Sequence, residues 1–122
     1  MDKIEGGCIC GAVRFAASGK PKNVFWCHCS SCRGHSGAPV SVFVGFERGN
    51  YRVTKGEIAK FASSPGTMRG FCRTCGSTLT CEVSALPGET HFHVGAFEAP
   101  EQFQPGRHYF REEQLPWLHL ND

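Results

Sequence analysis

The chain has 122 residues, 40% of them hydrophobic and 10 of them Phe, which suits one domain over residues 1–122 with a modest core. A charged fraction of 20% and a formal net charge of +2 argue against a disordered chain and against a nucleic-acid-binding tail. No apolar run reaches the roughly 18–20 residues of a membrane span, so no membrane partner is expected.

In chain order, Met1 to Gly7 carries Asp2, Lys3 and Glu5 ahead of two glycines, which is unlike a signal peptide. A cytoplasmic protein with reduced thiols is therefore expected. Cys8 and Cys10 are expected on one strand with both side chains facing the same way, and Gly7 and Gly11 permit close approach. Strands follow at Ala12 to Phe15 and Val24 to Trp26, the latter leading into Cys27-His28-Cys29-Ser30-Ser31-Cys32. A turn of helix is expected at Ser30 to His35. Pro39 to Phe46 alternates, with Val40, Val42, Val44 and Phe46 on one face. Further strands are read at Tyr51 to Thr54, Ala59 to Ala62, Met68 to Cys72, Ser77 to Val83 and His91 to Val94. A last helical turn is read near Arg111 to Trp117. Short strands joined by glycine-rich connections predict an antiparallel, all-β domain.

The eight cysteines are grouped for metal rather than for disulfides. Residues two apart on a strand stand about 6.6 Å apart, at the limit of disulfide reach, whereas metal binding needs thiolates converging from short loops. Cys72-Arg73-Thr74-Cys75-Gly76 has the form of a zinc knuckle and supplies two ligands. Cys8 and Cys10 are the natural second pair, giving a closed, structural four-cysteine site. Cys27, Cys29 and Cys32 supply three thiolates and leave a fourth position open, the layout of a catalytic zinc. His28, His35 and Cys81 are the possible fourth ligands. His28 is expected to point to the other side of its strand, and Cys81 to be a small buried residue. His91 and His93 share a strand face and are read as a polar sheet face. Arg33, Arg69 and Arg73 flank cysteine groups, where they would offset thiolate charge or meet an anionic substrate. Arg33, His35 and Arg69 are the candidate substrate-binding residues.

The motifs resemble the family of glutathione-dependent formaldehyde-activating enzymes, also called the CENP-V/GFA domain. The resemblance runs through Gly6-Gly7-Cys8-Ile9-Cys10-Gly11, Cys27-His28-Cys29-Ser30-Ser31-Cys32-Arg33 and Arg69-Gly70-Phe71-Cys72-Arg73-Thr74-Cys75-Gly76. It closes with Val94-Gly95, Glu98-Ala99-Pro100 and Pro116-Trp117. It implies a β-tent (Mss4-like) fold of antiparallel sheets pinned by zinc. It implies Cys8, Cys10, Cys72 and Cys75 as ligands of a structural zinc, and Cys27, Cys29 and Cys32 as ligands of a second, catalytic zinc. The implied activity is that of a carbon–sulfur lyase, S-(hydroxymethyl)glutathione synthase, with a thiol such as glutathione and an aldehyde such as formaldehyde as partners. The alternative class is a non-catalytic zinc-binding domain for a protein or small-molecule partner.

Overall fold

The structure, a computed structural model, describes residues 4–121. In chain order its elements are β1 (Ile4–Gly7), β2 (Arg14–Ala17), β3 (Asn23–Cys27), α1 (Ser30–Ser36), β4 (Ser41–Glu47), β5 (Tyr51–Lys55), β6 (Ala59–Ser64), β7 (Thr67–Phe71), β8 (Thr78–Val83), β9 (Glu89–His93) and β10 (Arg107–Tyr109). They form a three-stranded sheet in the order β1-β2-β5 and a seven-stranded sheet in the order β10-β3-β4-β9-β8-β7-β6. The expected all-β class holds. The expectation of purely antiparallel sheets does not, because β10 runs parallel to β3. No described helix is long and apolar enough to cross a membrane.

The predicted strands recur with shifted ends, and β1 and β10 lie outside the predicted set. Arg111 to Trp117 holds only a short 3-10 turn at Arg111–Glu113. Strand β4 contributes to two of the three apolar clusters of the core. Val44 and Phe46 pack into a cluster with Phe15, Phe92, Phe97 and Phe103. Phe43, on the opposite face, joins Phe25, Cys27, Cys32 and Cys81. A central strand covered on both faces thus carries apolar residues in successive positions. Phe15 and Phe92 stack at 4.5 Å between centroids. Each of the fully buried Phe15, Phe43, Phe46 and Phe92 contributes about 1.5–3 kcal/mol by leaving water. A third cluster of Cys8, Val13, Cys72 and Leu79 lies under the four-cysteine group.

Gly6 of β1 forms an isolated antiparallel bridge to Phe97, in the segment after β9. A Cβ at Gly6 would collide with the Ala96 carbonyl oxygen and stand 2.7 Å from Phe15 Cζ. Backbone cannot swing away as a side chain can. Gly6→Ala is therefore expected to cost about 1–3 kcal/mol, the usual cost of overpacking, read as a lower midpoint in denaturant unfolding at unchanged slope.

Glu82 on β8 ties four segments together. Its carboxylate accepts from Lys60 Nζ at 2.9 Å and from Thr90 Oγ1 at 2.8 Å, and it meets Arg48 Nε at 3.0 Å. Burial alone would raise its carboxyl. The Lys60 and Thr90 hydrogen bonds and the Lys60 and Arg48 charges outweigh that and hold it below the ordinary range. A depressed carboxyl stabilises the fold above its unfolded pKa, about 4.3 for Glu, and loses that contribution as pH falls through the folded value. Glu82→Gln is expected to lower the melting temperature fully at neutral pH. The gap from the parent protein should close as the pH is taken below about 4, which paired thermal melts across pH would show.

Candidate metal centres and the adjoining cleft

The structure brings Cys8, Cys10, Cys72 and Cys75 together, with all four sulfurs within 4.8 Å of one another. Cys8 Sγ lies 3.6 Å from Cys10 Sγ, and Cys10 Sγ lies 3.8 Å from Cys72 Sγ. A tetrahedral zinc with Zn–S near 2.3 Å spaces its sulfurs about 3.8 Å apart, so this group fits the metal. The local form differs from the strand expected for Cys8 and Cys10. Residues 8–11 make a turn closed by Gly11 N–H donating to Cys8 O at 3.2 Å, with Gly11 at φ +82°. The turn at Cys72 is built alike, Gly76 N–H donating to Cys72 O at 2.8 Å with Gly76 at φ +81°. Both glycines take the left-handed backbone that side-chain-bearing residues resist. Amides also turn toward sulfur: Val13 N–H donates to Cys8 Sγ at 3.2 Å, and Cys75 N–H to Cys72 Sγ at 3.4 Å. The Ser77 hydroxyl, 3.1 Å from Cys75 Sγ, lowers that thiol's pKa to about 5, helped by the Ser77 backbone. Such an arrangement favours the thiolate at Cys8 and Cys75, the form a metal takes.

Cys27, Cys29 and Cys32 form the second group, again within 4.8 Å of one another. Cys27 Sγ stands 3.7 Å from Cys29 Sγ and 3.4 Å from Cys32 Sγ, spacings that also fit one zinc. Each sulfur has a different anchor. Cys27 ends β3. Cys29 is the N-cap of α1, its sulfur accepting from Cys32 N–H at 3.3 Å. Cys32 is the buried residue of that helix. Hydrogen bonds from Cys27 and Cys32 favour ionisation at Cys29, while the same contact from Cys29, with that from Cys32, raises Cys27.

Arg69, on β7 and only 3% exposed, reaches this group from across the sheet. Its Nη1 donates to Cys32 Sγ at 3.2 Å, Nη2 to Ser31 Oγ at 2.8 Å and Nε to Ser63 Oγ at 3.2 Å. Burial opposes its charge, but the hydrogen bond to Cys32 and the nearby thiols more than offset this. A zinc held by three thiolates would carry one excess negative charge, which this buried guanidinium would balance.

The other candidates join neither sulfur donor set. His28 is fully buried, with its Nε2 2.8 Å from His108 Nδ1. His35 packs against His93 at 5.8 Å between ring centroids. Cys81 is buried beside the three-cysteine group without joining its donor set, and burial raises its thiol to about 11. Arg33 donates to the backbone oxygens of His28 and Glu113, fastening the segment after β10 to α1. Arg73 is exposed. His91 and His93 are not the polar sheet face expected of them. They are 2% and 8% exposed because β9 sits inside the seven-stranded sheet. His91 Nε2 meets Glu89 Oε1 at 3.1 Å, while burial, with the charge of His35 and Arg69, drives His93 down to about 3.

Above Cys27, Cys29 and Cys32 opens a cleft of about 550 Å³. Its walls come from β3, β4, β8, the Ser64–Thr67 turn, the Ala85–Leu86 segment and the Tyr109–Phe110 pair. The wall residues Tyr109 and Phe110 were not singled out from sequence. No motif marks them, and they reach the cleft because β10 pairs with β3.

A sequence profile of the family described as glutathione-dependent formaldehyde-activating enzyme matches residues 3–113. The chain is 34% identical over 80 residues to an uncharacterized lyase of Schizosaccharomyces pombe, a match covering 65% of this chain and 57% of that protein. It is 31% identical over 130 aligned positions to a Halomonas elongata protein that carries the provisional name of glutathione-dependent formaldehyde-activating enzyme, covering 96% of this chain and 80% of that one. In fold it is similar to the crystal structure of a Rhodobacter sphaeroides protein, with a TM-score of 0.70 at 23% identity over 86% of this chain and 99% of the other.

Proposed function

The chain belongs to the family of glutathione-dependent formaldehyde-activating enzymes, and we propose that it joins a thiol to an aldehyde in the cleft above Cys27, Cys29 and Cys32. The observation that carries this reading is the three-sulfur group at the base of an open cleft. Among the described residues no fourth His, Cys, Asp or Glu donor completes that group. Cys8, Cys10, Cys72 and Cys75 would hold a structural zinc, and Cys27, Cys29 and Cys32 a second one, within one domain.

Zinc held by three cysteines would supply ionisation and a fixed position for a substrate thiol. The chain's own residues do the rest. The N-cap geometry fixes Cys29, and Arg69 orients Cys32 and balances the charge of the group. Phe25, Phe43 and Val83 give the cleft apolar lining beside the sulfurs; the less water such a lining leaves around the reacting atoms, the stronger the polar interactions there. In the reaction a carbon–sulfur bond forms, the carbonyl π bond breaks, and the thiol proton ends on the carbonyl oxygen. Both substrates are reactive, so placement is the main contribution required. Glutathione and formaldehyde are the pair the family description supports.

Two measurements test the proposal. Native mass spectrometry of protein purified without added metal is expected to show two zinc ions per chain. Exchange NMR on glutathione and formaldehyde is expected to show faster adduct formation with protein present. Rates no faster than in the protein-free mixture would remove the catalytic reading.

A further inference from the structure

We infer that the carbonyl partner of this cleft carries an apolar group of aromatic size, so that formaldehyde is not its best substrate; this rests on the thiol–aldehyde reading above. Three observations carry it. The first is volume. A cleft of about 550 Å³ falls in the range of sites that enclose small organic ligands, about 300–1,000 Å³, and leaves room for a substituent on the carbonyl carbon beside the thiol.

The second is wall chemistry. The cleft is lined by Phe25, Phe43, Val83, Leu86, Tyr109 and Phe110. Phe25 stands edge-on to Tyr109 at 4.7 Å between centroids, and Phe25 and Phe43 lie 5.6 Å apart. The charged groups that line the cleft already have partners. Arg69 is held by Cys32, Ser31 and Ser63, and His91 meets Glu89. Arg48 and Lys60 lie in a separate groove on the far side of the Ser64–Thr67 turn, where both pair with Glu82. A charged substituent placed deep in the cleft would lose its hydration without a free counter-charge. An apolar ring would gain from the same walls.

The third is Phe110. It is the one non-glycine residue with positive φ among the described residues, at φ 59° and ψ 41°. That backbone is disfavoured for a bulky side chain. Burial does not account for it, since Phe110 is 51% exposed. The unfavourable backbone places an aromatic ring on the wall of the cleft, where a substrate ring would cover it. Strained residues of this kind concentrate at ligand clamps.

In the step proposed, the thiol sulfur bonds to the aldehyde carbon, the C=O π pair moves to oxygen, and the thiol proton follows it. The apolar substituent on that carbon fills the cleft and takes no part in the bond changes.

The test uses the zinc-loaded protein and two probes. Phenylacetaldehyde and formaldehyde are compared as partners of glutathione by exchange NMR. The unreactive 2-phenylethanol is titrated separately and followed by intermolecular NOEs to aromatic side chains. The acceleration with phenylacetaldehyde, relative to the uncatalysed rate, is expected to exceed that with formaldehyde by at least about tenfold. NOEs from 2-phenylethanol should reach Phe25, Phe43 and Phe110. Phe110→Asn retains a residue that tolerates the left-handed backbone and removes the ring, so it should lower the phenylacetaldehyde-to-formaldehyde ratio by roughly tenfold. Acceleration of formaldehyde alone, with no NOEs, would overturn this inference and leave the thiol–aldehyde reading standing. NOEs with neither aldehyde accelerated would overturn that reading and support the apolar occupant. Absence of both effects would overturn both. A ratio unchanged in Phe110→Asn would remove Phe110 from the proposal.

Discussion

Cys72→Ser is expected to abolish folding of the chain. Cys72 is 1% exposed and directly follows β7, packed with Cys8, Val13 and Leu79. Its sulfur stands 3.8 Å from that of Cys10, 62 positions earlier in sequence. The proposed structural zinc would therefore close a long loop and join the turn after β1 to the turn after β7. Apparent binding free energies of structural zinc in small domains run about 10–16 kcal/mol at neutral pH, whereas whole domains are stable by about 5–15 kcal/mol. Removing one of four ligands thus threatens the entire margin. A buried serine hydroxyl would add its own cost in place of a sulfur. The check is the dispersion of amide resonances in protein expressed with ample zinc, with chelation of the parent protein as a parallel route to the same collapse. A well-dispersed Cys72→Ser spectrum with one zinc still bound would contradict the structural role.

How far the sequence reveals this arrangement depends on the range of the forces involved. The cysteine groups are legible because metal chemistry requires several sulfurs in short stretches, and the structure does bring Cys8 and Cys10 to Cys72 and Cys75. Their backbone is less legible. A Cys-x-Cys pair fits a strand as well as a turn, and the left-handed Gly11 decides for the turn. His91 and His93 do share a face, as a two-residue period requires, but no local pattern says that β9 is flanked by β4 and β8. Their burial follows from those neighbours. Strand β10 is three residues long and has no alternation to detect. It exists because Arg107–Tyr109 finds Phe25–Cys27, some eighty positions away, and the cleft wall at Tyr109 and Phe110 was invisible for the same reason. Arg69 is a sequence neighbour of Cys72, yet its guanidinium serves Cys32. The register of β7 and β8 sets that reach, and sequence separation conceals it.

Cys29→Ser should behave in the opposite way to Cys72→Ser, keeping the fold and losing the activity. Cys29 caps α1 by accepting the Cys32 N–H, with extended backbone at φ −66° and ψ 147°. Serine is among the preferred N-cap residues and accepts the same hydrogen bond, so the helix start survives. The cluster under this site retains Phe25, Phe43, Cys27, Cys32 and Cys81, and stability should change by less than about 1 kcal/mol. The chemistry has no such substitute. A neutral hydroxyl does not replace a thiolate as a zinc ligand, and the proposed site falls from three protein donors to two. Outer-shell changes at metal sites already cost about 10–100-fold, so loss of a direct ligand is expected to lower thiol–aldehyde activity by more than about 100-fold. Native mass spectrometry should then find one zinc per chain, with the melting temperature close to that of the parent. Equal destabilisation by Cys29→Ser and Cys72→Ser would contradict the division into a structural and a catalytic site. Retained activity with one zinc would move the chemistry away from Cys27, Cys29 and Cys32 altogether.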